Sequence, residues 1–313
     1  MQITLLSCLF ALCCSCSIVA SVEAHADTTT PVKVILDTDI GDDIDDAYAL
    51  AALATVPECH LLGVTTTYGH TEDRAKIAGK LLKLMGRPDV PVHAGRHGDA
   101  GVGRQFQWAK GYTGKNLKPQ PAVDFLKETI EQHPGEITIV AIGALTNIGD
   151  LVSAHPEIVS KIHRIVIMGG SVYTGYGTSP TPQVEWNIKC DPAAARAVFN
   201  CGAVITVAGL EATAMMQFDL ERQKKLFSIG TPTTDALAAL TNLWGGNIPT
   251  QFDVMAVANA LGHNFCDTDM IHIDVTDDGM THKGSGTTNA ALLVHPQKEP
   301  FLDWYITALT PAK

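Results

Sequence analysis

Six short apolar, β-branched runs punctuate this chain, at residues 32–36, 61–67, 90–94, 137–142, 165–168 and 203–208. Amphipathic or apolar helical patterns lie between them, notably at 75–85, 122–132, 147–154 and 192–199. The first of these stops at Gly86-Arg87-Pro88, and the last opens with Pro192 after Asp191 as its cap. Fully apolar strands alternating with helices demand burial on both sides. The expected architecture is therefore α/β, a largely parallel open sheet with helices on both faces. No linker-like stretch or internal repeat divides the chain, so one domain is expected. Hydrophobic residues at 46% and charged residues at 18% of 313 supply a core of that size.

The net charge of −11 argues against nucleic acid as a partner and against electrostatic attachment to an anionic membrane. Residues 3–20 are mostly apolar and small, and Ala24-His25-Ala26 fits an A-x-A cleavage site. A signal peptide over 1–26 and a mature chain from Asp27 are expected, hence a secreted or periplasmic protein without a membrane span. The first lysine is Lys33, so the leader carries only its α-amino charge. A lipid-anchored form would use Cys8, after Leu5-Leu6-Ser7. Outside the leader only Cys59, Cys190, Cys201 and Cys266 remain, without a C-x-x-C pair. Buried free thiols are expected rather than a zinc site or a disulfide framework.

The chemistry concentrates at the end of the first apolar run. Asp37-Thr38-Asp39-Ile40-Gly41-Asp42-Asp43-Ile44-Asp45-Asp46 places six carboxylates in ten residues, and an apolar helix pattern from Ala47 follows. Carboxylates this dense repel one another and are costly to bury. A hard divalent cation removes that cost, because it takes oxygen ligands. Strand-to-helix corners are also where open α/β sheets bind ligands. Further polar groups follow later strands: Thr65-Thr66-Thr67-Tyr68-Gly69-His70, Gly143-Ala144-Leu145-Thr146-Asn147, Met168-Gly169-Gly170 and Glu185-Trp186-Asn187. Asp253 opens another apolar helix pattern. The Gly-rich loops 95–114 and 169–183 should lie on the same rim.

Together, the segments D-T-D-x-G…D-D-A-x-A-L, G-x-L-T-N, I-V-x-M-G-G, E-x-N-x-x-x-D-P and D-x-x-A-V-A resemble the nucleoside hydrolases, the calcium-dependent, inosine-uridine preferring N-ribohydrolases, over residues 32–309. The resemblance implies a Rossmann-like nucleoside hydrolase fold over 27–313, a bound Ca2+ and, in the assembled protein, a homodimer or homotetramer. It implies Asp39 as metal ligand and general base, Asp46 as bidentate ligand, Asp253 as the distant carboxylate ligand, and the Ile142 carbonyl as a further ligand. Asp45, Glu185 and Asn187 would hold ribose hydroxyls, and Met168 would line the sugar pocket. The implied reaction is hydrolysis of a ribonucleoside to base and ribose. Hydrolysis of another N-riboside, or nucleoside binding with little turnover, are the alternatives.

The chain departs from the family pattern in places. Its acidic corner is two residues longer than the shortest versions, which leaves Asp43 in competition with Asp45. His70 replaces an Asn that contacts the sugar, and Ser179 is the nearest match to another Asn. Phe252 stands where a leaving-group His often precedes the last Asp. An aromatic residue there resembles the purine-preferring branch, with Phe252 as one wall for the base and Trp108 or Tyr112 as the other. His93 and His163 read as packing or surface residues.

Overall fold

The computed structural model describes residues 30–177 and 179–311. The expected leader, its cleavage after Ala26 and the Cys8 anchor all fall outside the described residues. Among those described, no helix is long and apolar enough to cross a membrane.

The strands are β1 (Val32–Thr38), β2 (Cys59–Thr66), β3 (Val92–Ala94), β4 (Leu117–Lys118), β5 (Ile137–Ala141), β6 (Arg164–Met168), β7 (Ile205–Ala208), β8 (Asp267–Ile271), β9 (Ile273–Val275), β10 (Thr281–Lys283) and β11 (Ala290–Val294). The helices are α1 (Asp45–Thr55), α2 (Thr71–Leu84), α3 (Phe106–Ala109), α4 (Ala122–Gln132), α5 (Thr146–Ala154), α6 (Trp186–Cys190), α7 (Pro192–Phe199), α8 (Leu210–Thr213), α9 (Leu220–Phe227), α10 (Pro232–Trp244), α11 (Phe252–Ala260) and α12 (Lys298–Ala308). Nine strands form one sheet in the order β4-β3-β2-β1-β5-β6-β7-β11-β8, and β9 and β10 form a separate ribbon. Pairing in the large sheet is parallel except between β11 and the edge strand β8.

Period-two alternation splits the core. Val34, Leu36, Val140, Ile142, Val166 and Met168 face a layer containing residues of α1, α2 and α11. Ile35, Ile137, Ile139, Ile165 and Ile167 face residues of α4, α5 and α7 on the other side. Helix α1 is buried from Asp45 through Leu53, which explains its uniformly apolar sequence beyond the two acids.

The strand order fixes where a site can form. From β1 the chain steps outward through β2, β3 and β4, then returns to place β5 on the other side of β1. The crevice beyond the C-terminal ends of β1 and β5 is thus a topological switch point, where flanking loops diverge and leave a cleft. The acidic corner leaves β1 at this point, and Ile142 and Gly143 leave β5 beside it.

Candidate active site

Two helices start at this crevice. Asp45 and Asp46 occupy the first turn of α1, and Asp253 the first turn of α11. Backbone N–H groups at a helix start favour negative charge, and the Asp253 N–H donates to Asp45 Oδ2 at 3.2 Å. Carboxylate oxygens of Asp45, Asp46 and Asp253 lie within 4.8 Å of one another, and all three residues are buried. Asp46 also accepts from the Thr38 hydroxyl. Asp43 instead caps its own corner, accepting from the Ile44 N–H at 2.7 Å, so the geometry puts Asp45 rather than Asp43 in the trio.

The trio opens on a cleft lined by Asp39, Asp42, Asp43, Asp45, Asp46, Ile142, Met168, Tyr176, Glu185, Trp186, Asn187, Phe252 and Asp253. Seven of these residues are acidic and none is cationic. Asp39 lies against β5: a side chain on Gly143 would place Cβ 2.8 Å from Asp39 Oδ1, so glycine permits the approach. Burial, with Asp42 and Glu185 adding repulsion against the opposing pull of Arg74, pushes the Asp39 carboxyl up to about 7. Burial and mutual repulsion likewise raise Asp45, Asp46 and Asp253 well above the ordinary carboxylate range. These are groups held together against their charge. The three clustered carboxylates offer only oxygen donors and fit a hard divalent cation whose charge would reverse those shifts; Asp39 and Ile142 line the same cleft outside that trio.

Glu185 caps α6. Its carboxylate accepts from the N–H groups of Gly170 (3.0 Å), Asn187 (3.0 Å) and Ile188 (3.1 Å). Burial raises its pKa, against the opposing effect of these bonds. Asn187 Nδ2 donates to the Ile142 carbonyl at 2.9 Å and the Met168 carbonyl at 3.1 Å. The amide thus ties the ends of β5 and β6 together and leaves its Oδ1 for other partners. Asn147, from G-A-L-T-N, is structural: its Nδ2 donates to Asp37 Oδ1 at 2.7 Å and the Thr66 carbonyl at 3.1 Å.

Some expected contacts fall elsewhere. Trp108 does not line the cleft, because its ring lies under the Lys80 ammonium at 4.2 Å, against α2. Tyr112 donates to Asn116 Oδ1 at 2.8 Å on that same side. His70 precedes α2 and its ring stacks on His97 at 4.8 Å, away from the cleft lining. Ser179 donates to the Thr181 carbonyl within its own loop. His93 is a packing residue, stacked on Phe125 at 4.0 Å, and the four cysteines are free.

Phe252 lines the cleft as expected, but its aromatic neighbours there are Tyr176 and Trp186 rather than Trp108 or Tyr112. Tyr176 meets Phe252 edge-on at 6.1 Å and 80°. Its hydroxyl accepts from the Trp186 N–H at 2.9 Å, and Trp186 meets Tyr68 edge-on at 6.2 Å. Trp186 is 47% exposed at the cleft mouth.

The sequence profile of the family described as "Inosine-uridine preferring nucleoside hydrolase" matches residues 34–303. Uridine nucleosidase 1 of Arabidopsis thaliana is 36% identical over 199 residues, which cover 59% of this chain and 58% of that enzyme. The pyrimidine-specific ribonucleoside hydrolase RihA of Escherichia coli is 31% identical, covering 68% of this chain and 71% of its own length. Among solved structures, a plant nucleoside hydrolase superposes with a TM-score of 0.81 at 25% identity, over 90% of this chain and all of that one. A purine-preferring ribonucleoside hydrolase from Gardnerella vaginalis gives 0.77 at 26% identity, over 89% of this chain and 98% of that one. With its parallel sheet, its acidic switch-point cleft and this match over most of its length, the chain belongs to the inosine-uridine preferring nucleoside hydrolase family, whose members hydrolyse the N-glycosidic bonds of nucleosides.

Proposed function

We propose that this protein is a calcium-dependent hydrolase of ribonucleosides, with a preference for purines. The observation that carries the reading is the buried trio of Asp45, Asp46 and Asp253 on the same cleft as Asp39, Glu185 and Asn187. Asp39, Asp46, Asp253 and the Ile142 carbonyl would hold the cation. When bound, calcium supplies a grip on the two vicinal ribose hydroxyls and lowers the pKa of an adjacent water. Asp39 takes the proton from the attacking water, which adds to the anomeric carbon as the C–N bond breaks towards the base. Positive charge develops on the sugar during that step, and the acidic cleft stabilises it. Asp45, Asn187 and Glu185 orient the sugar, while Met168 packs against it.

The leaving base would sit on Phe252, with Tyr176 and Trp186 in place of the Trp108 and Tyr112 wall expected from sequence. Among the described residues no histidine or lysine lines the cleft, so the base would leave with the bonding pair and take its proton from solvent, with aromatic contact rather than a side-chain acid assisting departure. Such contacts contribute about 0.5–1.5 kcal/mol beyond area burial and favour the larger ring. Relatives named for uridine, pyrimidine and purine substrates all match, so the preference rests on the wall alone. The test is release of reducing sugar from inosine, adenosine and uridine, with wild type and Phe252→Ala. Inosine is expected to be favoured, and Phe252→Ala to lower the inosine-to-uridine ratio of kcat/KM. Uridine favoured by wild type would overturn the purine reading, and no ribose from any of the three would overturn the nucleosidase reading.

A further inference from the structure

We infer that Arg74 and Asp42 form a latch that holds the acidic corner in its cation-binding shape before the cation arrives. Arg74 is 0% exposed, and among the described residues no other lysine or arginine is classed as buried. Its guanidinium lies beneath the corner. Nε donates to the Tyr68 carbonyl at 2.7 Å. Nη1 donates to the Asp39 carbonyl and, at 3.2 Å, to that of Ile40. Nη2 donates to Asp42 Oδ2 at 2.7 Å. The planar fork of donors suits such a set of fixed acceptors, which a lysine could not span.

Asp42 carries the grip onward. Its Oδ1 accepts from the Gly103 N–H at 2.8 Å. Buried Gln105 adds a bond from Nε2 to the Asp43 carbonyl at 2.6 Å. Segments 39–42 and 68 thus meet on one buried cation, and Asp42 and Asp43 tie segment 103–105 to them. Packing also constrains the turn. Gly41 has φ +126°, and a side chain there would put Cβ 2.5 Å from Val102 and 2.8 Å from Ile77, so the corner has little room to relax.

The contacts on Asp39 and Ile40 are to backbone carbonyls. They fix the chain while leaving the Asp39 carboxylate free to face the cleft. Without a cation, seven clustered acids would drive this corner apart; a fixed charge behind it opposes that. A site ordered in advance loses less freedom on binding and binds more tightly. Asp42 and Arg74 are therefore positioning residues, acting through Asp39 and its neighbours.

The inference rests on the proposed calcium dependence, and its test separates the two. Calcium affinity is measured by competition with a chromophoric chelator, and amide exchange over 39–46 and 103–106 is followed in metal-free protein. Arg74→Met and Asp42→Asn are each expected to weaken calcium affinity at least tenfold and to speed exchange in those segments. Asp42→Asn keeps the acceptor for Gly103 but turns an amide towards Arg74. Arg74→Lys, which keeps the charge without the fork, is expected to fall between. A merely structural role would lower the melting temperature and leave calcium affinity unmoved. If Arg74→Met fails to fold, Asp42→Asn and Arg74→Lys decide: wild-type affinity and exchange in both overturn the latch. If the wild type binds no calcium, the functional reading fails, and the exchange comparison still decides the latch.

Discussion

Asp253→Asn is expected to stabilise the metal-free protein and to destroy its response to calcium. The Asp253 carboxylate lies within 4.8 Å of acidic oxygens on Asp45 and Asp46. At an effective dielectric constant of about 20, two full charges at that spacing repel by about 3.5 kcal/mol. Raised pKa values mean that the trio does not carry three full charges near neutrality, so the gain is a fraction of two such terms. Against it stands the loss of a favourable charge at the start of α11, about 0.3–1 kcal/mol. The net gain is about 1–3 kcal/mol, or about 2–5 °C in melting temperature for a domain of this size. In the wild type, calcium at a hundredfold excess over Kd would add about 2.7 kcal/mol, and in the variant most of that rise should vanish. Thermal melts of both proteins, in chelator and in excess calcium, read both effects. A variant less stable than wild type in chelator would refute the reasoning, because it would mean that this carboxylate is not held against repulsion.

Two further outcomes follow from the same cleft. Removing the ribose 2′-hydroxyl strands the buried groups that would bind it, so kcat/KM for 2′-deoxyinosine should fall at least about a hundredfold below inosine; comparable values would remove Asp45 and Asn187 from the sugar site. The pH dependence has a defined sign. Asp39 rises from an unfolded value of 3.8 to about 7 in the metal-free fold, mainly through burial, and the trio shifts the same way. The Asp39 contribution is fully present below about pH 4 and is lost as pH rises through about 7, and that of the trio is lost in the same direction as pH rises through their raised values. The melting-temperature rise on adding calcium should therefore be larger near pH 8 than near pH 5, and an equal or reversed increment would contradict the shifts.

The legible parts of this chain were those where local chemistry and burial agree. Apolar β-branched runs marked β1, β2, β5 and β6 to within two residues, because strands buried on both faces need such runs. The acidic corner stood out because unpaired carboxylates rarely cluster beside a buried strand. The edge strand β8 was invisible: Asp267-Thr268-Asp269-Met270 is mostly exposed, and only pairing with β11 orders it. Tyr176 lies in a Gly-rich loop without periodicity, where sequence gives no direction for a side chain. The Tyr-Thr-Gly-Tyr spacing at 173–176 was the available signal. Trp108 misled because loop 95–114 folds back on α2, where Lys80 covers the ring. Arg74 follows Glu72 and Asp73 and reads as one more charge on a solvated helix face; its burial depends on carbonyls more than thirty residues earlier in the chain.

The central claim is that one calcium ion and this cleft together make the nucleosidase. Stripped protein titrated with calcium, with inosine hydrolysis and bound metal measured at each step, tests it most directly. The expected result is no turnover without the ion and activity rising in proportion to occupancy, to a plateau at one calcium per chain. Full turnover in strong chelator, with no metal in the protein, would contradict it.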